Sequence, residues 1–174
     1  MKKNTKIGIS LIISMLIVIL CGLFYKNSIQ EDVLFTSSFN IRKLTNKEYE
    51  EVGTSRLDNP IKDDFRKAVL RVEMQHTSKI KNREIIVPTM TKLKDTINSY
   101  DIQRYWFGNS YEQDNESEDA AEYLYEFIFY SKGLNNNDIK RLVSNLKISV
   151  SWIGVDGNTQ KENHLLSDII NFNQ

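Results

Sequence analysis

Residues Ile7 to Tyr25 form an unbroken run of nineteen uncharged, mostly apolar residues, preceded by Lys2, Lys3 and Lys6. The hydrocarbon core of a bilayer is about 30 Å thick and is crossed by roughly 20 apolar residues as a helix. Twelve of the nineteen are Leu, Ile, Val or Phe, and each favours insertion by about 0.3–0.6 kcal/mol near the helix centre. Gly8, Ser10, Ser14 and Gly22 oppose this only weakly. The run is expected to be an uncleaved transmembrane anchor, with residues 1–25 forming a cytoplasmic tip and the membrane helix. Three lysines precede it and only Lys26 closely follows. Positive charge stays on the cytoplasmic side, so a single-pass topology with the C-terminal domain outside is expected. A cleaved signal has a shorter core of about 7–15 residues followed by small residues; here Phe24, Tyr25 and Lys26 follow.

Cys21 is the only cysteine. Val18-Ile19-Leu20-Cys21 followed by Gly22 resembles a bacterial lipobox, and that resemblance implies lipidation of Cys21 and a lipoprotein as the alternative. Leu20 departs from the small residue that the motif places before the cysteine, and Leu23 and Phe24 keep the following segment apolar. The first reading of Cys21 is a small hydrophobe in the anchor helix.

The remaining length is that of one domain. Residues 1–25 hold three of the 23 Lys and Arg and none of the 23 Asp and Glu, leaving 20 against 23, or −3. That mild charge, with no basic stripe, gives no reason to expect a nucleic-acid partner. Without cysteine the outer part has no disulfide and depends on its hydrophobic core. Abundant Ile, Lys and Asn fit an AT-rich bacterial genome, and with the missing disulfides they favour a Gram-positive bacterium.

Residues 26–34 read as a polar stalk and 35–174 as a β-rich domain. A first strand is expected near Phe35–Ile41. Thr45-Asn46-Lys47-Glu48 is a capping-box pattern and should start a short helix ending near Gly53. In 68–75, Ala68, Leu70, Val72 and Met74 alternate with a mostly polar set, which predicts a half-buried strand. A strand at 84–87 stops at Pro88, and Met90, Leu93 and Ile97 follow at helical spacing with Thr89 as N-cap. Tyr105-Trp106-Phe107 predicts a short strand ending at Gly108, with 109–119 a surface loop. Residues 122–130 are apolar or aromatic on both sides, which predicts a central strand. Asn137 is a candidate cap for a helix carrying Ile139, Leu142 and Val143. Alternation at Ile148, Val150 and Trp152 then predicts a strand, and Asp156-Gly157 a hairpin into a strand over 159–166.

Antiparallel strands with polar outer faces predict two packed sheets. The chain over roughly 66–168 resembles an immunoglobulin-like sandwich, in which a strand crosses to the other sheet through a short helical connection and then makes a hairpin; Trp152 and Tyr123 would lie between the sheets. The alternative is an α+β domain with a single curved sheet, resembling the outer domains of single-pass subunits of bacterial secretion and conjugation machines.

Chemistry is sparse. The two histidines, His76 and His164, have no partners at zinc-ligand spacing and are expected on the surface. No G-x-S-x-G elbow or Gly-rich phosphate cradle occurs, and no cofactor is expected. The acidic segment 112–122 spaces Asp114, Glu116 and Glu118 like calcium ligands, but has Asp119 where such a loop usually turns on Gly; it is expected to be a solvated loop. Tyr105, Trp106, Phe107 and Tyr111 form the candidate binding surface, since aromatics are favoured at interface anchors; alternation would bury either Trp106 or its two neighbours. The expected function is a membrane-tethered extracytoplasmic binding or accessory domain of a bacterial envelope, without catalysis. Its expected partners are membrane lipid, through the N-terminal helix, and another envelope protein. The alternatives are a structural subunit of a secretion, conjugation or other envelope machine, in which Gly8, Ser10 and Ser14 would let helices approach, and an envelope hydrolase.

Overall fold

A computed structural model describes residues 33–173 apart from residue 56. The apolar run at 7–25, Cys21 and residues 26–32 of the expected stalk lie outside the described residues. Among the described residues no helix is long and apolar enough to cross a membrane.

The described chain is mainly β. Strands are β1 (Leu34–Lys43), β2 (Phe65–Gln75), β3 (Lys81–Ile86), β4 (Tyr105–Asp114), β5 (Ala120–Tyr130), β6 (Lys147–Ile153), β7 (Thr159–Leu165) and β8 (Ile170–Asn173). Helices are α1 (Asn46–Glu50), α2 (Met90–Asn98), α3 (Asn136–Leu142) and α4 (Leu166–Ile169). The strands form a five-stranded sheet in the order β4-β5-β2-β1-β8 and a three-stranded sheet in the order β3-β6-β7. All pairings are antiparallel except β1 with β8. Two sheets are therefore present, as the alternating strands predict, together with the helix after Thr89 that the single-sheet alternative required.

Period-two burial builds the core. Ala68, Leu70, Val72 and Met74 of β2 face inward beside Phe39 and Ile41 of β1 and Phe127 and Phe129 of β5. Ile148, Val150 and Trp152 of the small sheet join the same core, with Leu93 and Ile97 of α2 and Ile139 and Val143 of α3. Tyr123 is only half-buried against it. A second cluster lies on the outer face of the large sheet. There Leu44, Val52, Phe65, Ile128 and Tyr130 are covered by the segment around α1.

Local signals explain the ends. Both reciprocal bonds of the Thr45–Glu48 capping box form, and Thr89 caps α2 through the Lys92 N–H. The cap of α3 is Asn135, whose side chain accepts from Asn137 N–H and Asp138 N–H. This corrects the assignment to Asn137: in the run Asn135-Asn136-Asn137 every residue could cap, and only Asn135 has Asp138 three places on to return the bond. Gly157 has φ +79 in the hairpin turn, a region in which glycine pays no Cβ penalty.

Glu48 also ties α1 to the sheet. Arg42 donates to both its oxygens, at 2.7 and 2.5 Å. That guanidinium, with the Thr45 backbone and hydroxyl, holds the Glu48 carboxyl at about 2, below its ordinary 4.5. A depressed carboxyl stabilises the fold above its unfolded value and loses that contribution as pH falls toward its folded one. Glu48→Gln should therefore flatten the acid limb of the stability curve between about pH 4.5 and 2. Urea melts across that window check it; an unchanged limb would show that the pair contributes nothing.

Candidate functional site

The β4–β5 hairpin carries most of the residues singled out from the sequence. β4 continues through Gly108 to Asp114, pairing with β5 until Asp114 lies opposite Ala121. This corrects the expected loop at 109–119: the turn is confined to 115–119. The polar residues Asn109 to Asp114 sit on an edge strand whose backbone β5 pairs on one side only. A Cβ on Gly108 would lie 2.4 Å from the Glu126 carbonyl oxygen and 2.6 Å from Phe127 Cβ, so the strands approach closely there only because the residue is glycine.

The register shifts between Tyr105 and Phe107. A β-bulge of this kind re-aims side chains, and it breaks the expected alternation. Tyr105 turns inward and stacks on Phe127, with centroids 5.8 Å apart, and its N–H donates to Asn98 Oδ1 at 2.8 Å. Burial pushes its hydroxyl up from the ordinary value. Trp106 packs edge-on against Phe65 of the outer cluster, at 5.5 Å. Phe107 lies opposite Ile128 of that cluster and is 43% exposed, and Tyr111 is 50% exposed. Neither Trp106 alone nor its two neighbours is fully buried. Trp106 and Phe107 line an open cleft of about 470 Å³ with Gly53, Ser55, Leu57 and Gln103. Among the described residues the large sheet has no strand beyond β4, so an exposed edge runs from this cleft to the acidic turn.

The acidic residues have separate tasks. Glu112 accepts from the Tyr125 hydroxyl, and Asp114 accepts from the Tyr123 hydroxyl at 2.5 Å. Burial, and then these carboxylates, push both phenols up from their ordinary value of 10, so they act as donors and not as bases. Asp114 also accepts from Arg83 Nη2 at 2.5 Å. Among the described residues no group of three or more His, Cys, Asp or Glu could hold a metal ion.

His76 departs from the surface position expected of it. Its side chain is 7% exposed, with Nδ1 2.8 Å from the Thr77 carbonyl oxygen and Nε2 2.9 Å from Arg83 Nη1. His164 is more open, 3.1 Å from Glu162 through Nε2, and its ring lies 5.0 Å from that of Phe35. Arg83 was not legible as a functional residue. It falls in the polar stretch between two strands, and its partners lie up to 35 residues away. The local signal is Asn82 at φ +51, inside the irregular pairing of β3 with β6, which turns Arg83 toward the β4–β5 turn.

Compared with family models, curated proteins and solved structures, the chain matches none of them.

Proposed function

We propose that this chain is a binding domain of a bacterial envelope, tethered by its N-terminal apolar segment to the outer face of the cytoplasmic membrane. It takes an extended segment of another envelope protein along β4. The open edge of that strand is the observation that carries the reading. An edge strand offers a row of unpaired backbone donors and acceptors, the template for β-augmentation. Along β4 the side chains grade from Trp106 and Phe107 at one end to Glu112, Asp114 and the acidic turn at the other. The complementary segment is apolar at one end and basic at the other.

Position supports the same reading. Leu34 pairs with Gln75 and Gln75 with Ala120, so the acidic turn lies at the end of the large sheet where β1 begins. The Trp106–Phe107 cleft lies at the far end of the hairpin, open to a partner. On this reading the two sheets are a variant of the immunoglobulin-like sandwich. β5 passes through α3 to β6 in the other sheet and then into the 156–157 hairpin, while β8 beside β1 departs from that pattern.

A photo-crosslinking residue placed at Phe107 or Tyr111 of the full chain in intact cells should give one discrete adduct with an envelope protein. The same residue at Lys161, exposed on β7, should give none. No adduct at either β4 position, or an equal one at Lys161, overturns the proposal.

A further inference from the structure

The two sheets meet at one corner through a buried arginine, and His76 is part of that contact. We propose that it is an acid-released clamp: protonation of His76 expels Arg83 and frees β3 from the β4–β5 turn.

Donor and acceptor chemistry fixes the resting state. A carbonyl only accepts, so Nδ1, 2.8 Å from the Thr77 oxygen, carries the proton. A guanidinium only donates, so Nε2, 2.9 Å from Arg83 Nη1, offers its lone pair. His76 is therefore the neutral Nδ1–H tautomer with both nitrogens in use. Arg83 is equally committed. Nη1 also donates to the Glu118 carbonyl at 2.9 Å, and Nη2 donates to Asp114 Oδ1 at 2.5 Å and the Asn115 carbonyl at 3.0 Å. Its side chain is 5% exposed, and its Nε is buried without an acceptor.

A proton taken from solvent onto Nε2 removes the acceptor and sets two cationic N–H groups face to face. The other charges around His76 do not reverse this. Asp119 Oδ1, on the turn, is 3.9 Å from Nδ1 and favours the proton, but its side chain is mostly exposed and screened. Asp114 is paired with Arg83. Glu116 and Lys81, which share a cleft of about 330 Å³ with His76, oppose each other. Arg83 is closer to the ring than Asp119, at 2.9 Å against 3.9 Å, and its side chain is buried. The contact needs an unprotonated Nε2, so the clamp holds while His76 is neutral and opens when acid protonates that nitrogen. β3 is an edge of the small sheet, so its release loosens that sheet from the large one.

Hydrogen exchange of the full chain in detergent micelles, at about pH 7.5 and about pH 5.5 on either side of the histidine range, tests this. After correction for intrinsic rates, amides in 79–86 and 114–119 should exchange roughly tenfold faster or more at the lower pH, while central β5 is unchanged. His76→Gln can accept from Arg83 and donate to Thr77 without titrating, and should abolish the response. His164→Gln, at the only other histidine, should keep it. An absent response in the natural chain, or one retained in His76→Gln, overturns the clamp. Should His76→Gln fold poorly, ring nitrogen shifts of the natural protein decide instead. The Nδ1–H tautomer at neutral pH supports the clamp, and an imidazolium or the Nε2–H tautomer there refutes it.

Discussion

Trp152→Ala and Phe127→Ala should each cost about 3–5 kcal/mol, the range for truncating a large aromatic in a core. A domain of this size is stable by only about 5–15 kcal/mol in total, so either variant should be unfolded or marginal at growth temperature. Trp152 lies in the shared core on the small-sheet side and Phe127 on the large-sheet side. Phe127 stacks with Tyr105 and lies 6.0 Å from Phe129, so its loss opens a void among rings that cannot easily collapse. Glu116→Ala, on the exposed turn, should cost under about 0.5 kcal/mol. Urea melts of residues 33–174, a compact unit of their own, would compare the three. A Trp152→Ala variant that melts like the natural domain would mean that β6 does not present this face to the core.

The strands that sequence alone locates are those whose side chains see two different environments. β2 from Ala68 onward and β6 alternate because one face meets the core and the other meets water, and there burial follows the alternation. β5 lacks the alternation because its reverse face packs the second cluster at one end, through Ile128 and Tyr130. Caps are legible for the same local reason, since Thr45 and Thr89 need only bonds three residues away. What sequence does not carry is pairing. The outer half of β4 has no apolar face of its own and is a strand only because β5 lies beside it. β8 is four residues long and exists through its parallel contact with β1.

The same division applies to the candidate site. Tyr105, Trp106, Phe107 and Tyr111 stand out as a group in the sequence, and all four lie on β4. Their sorting between core and surface depends on the bulge, which a period-two reading cannot contain. The acidic segment looks uniform in sequence, yet Glu112 and Asp114 are tied to Tyr125 and Tyr123 across the hairpin, whereas Glu116 remains exposed.

Arg83→Ala should cost about 2–3 kcal/mol, because Arg83 is itself buried and its hydrogen bonds are charge-assisted. The loss is not of one salt bridge. It leaves His76 Nε2, Asp114 and the carbonyls of Glu118 and Asn115 without their shared donor. Arg83→Lys should recover less than half, because an ammonium is a point charge that cannot spread a planar fork over four acceptors. Arg71 provides the contrast. It also faces two carboxylates, Glu73 at 3.0 Å and Glu122 at 2.8 Å, but on the open face of the large sheet, where water replaces whatever a substitution removes. Arg71→Ala should therefore change little in the same urea melts. If Arg83→Ala and Arg71→Ala melt alike, the corner between the sheets is held by apolar packing alone, and the arginine there is a passenger of the fold.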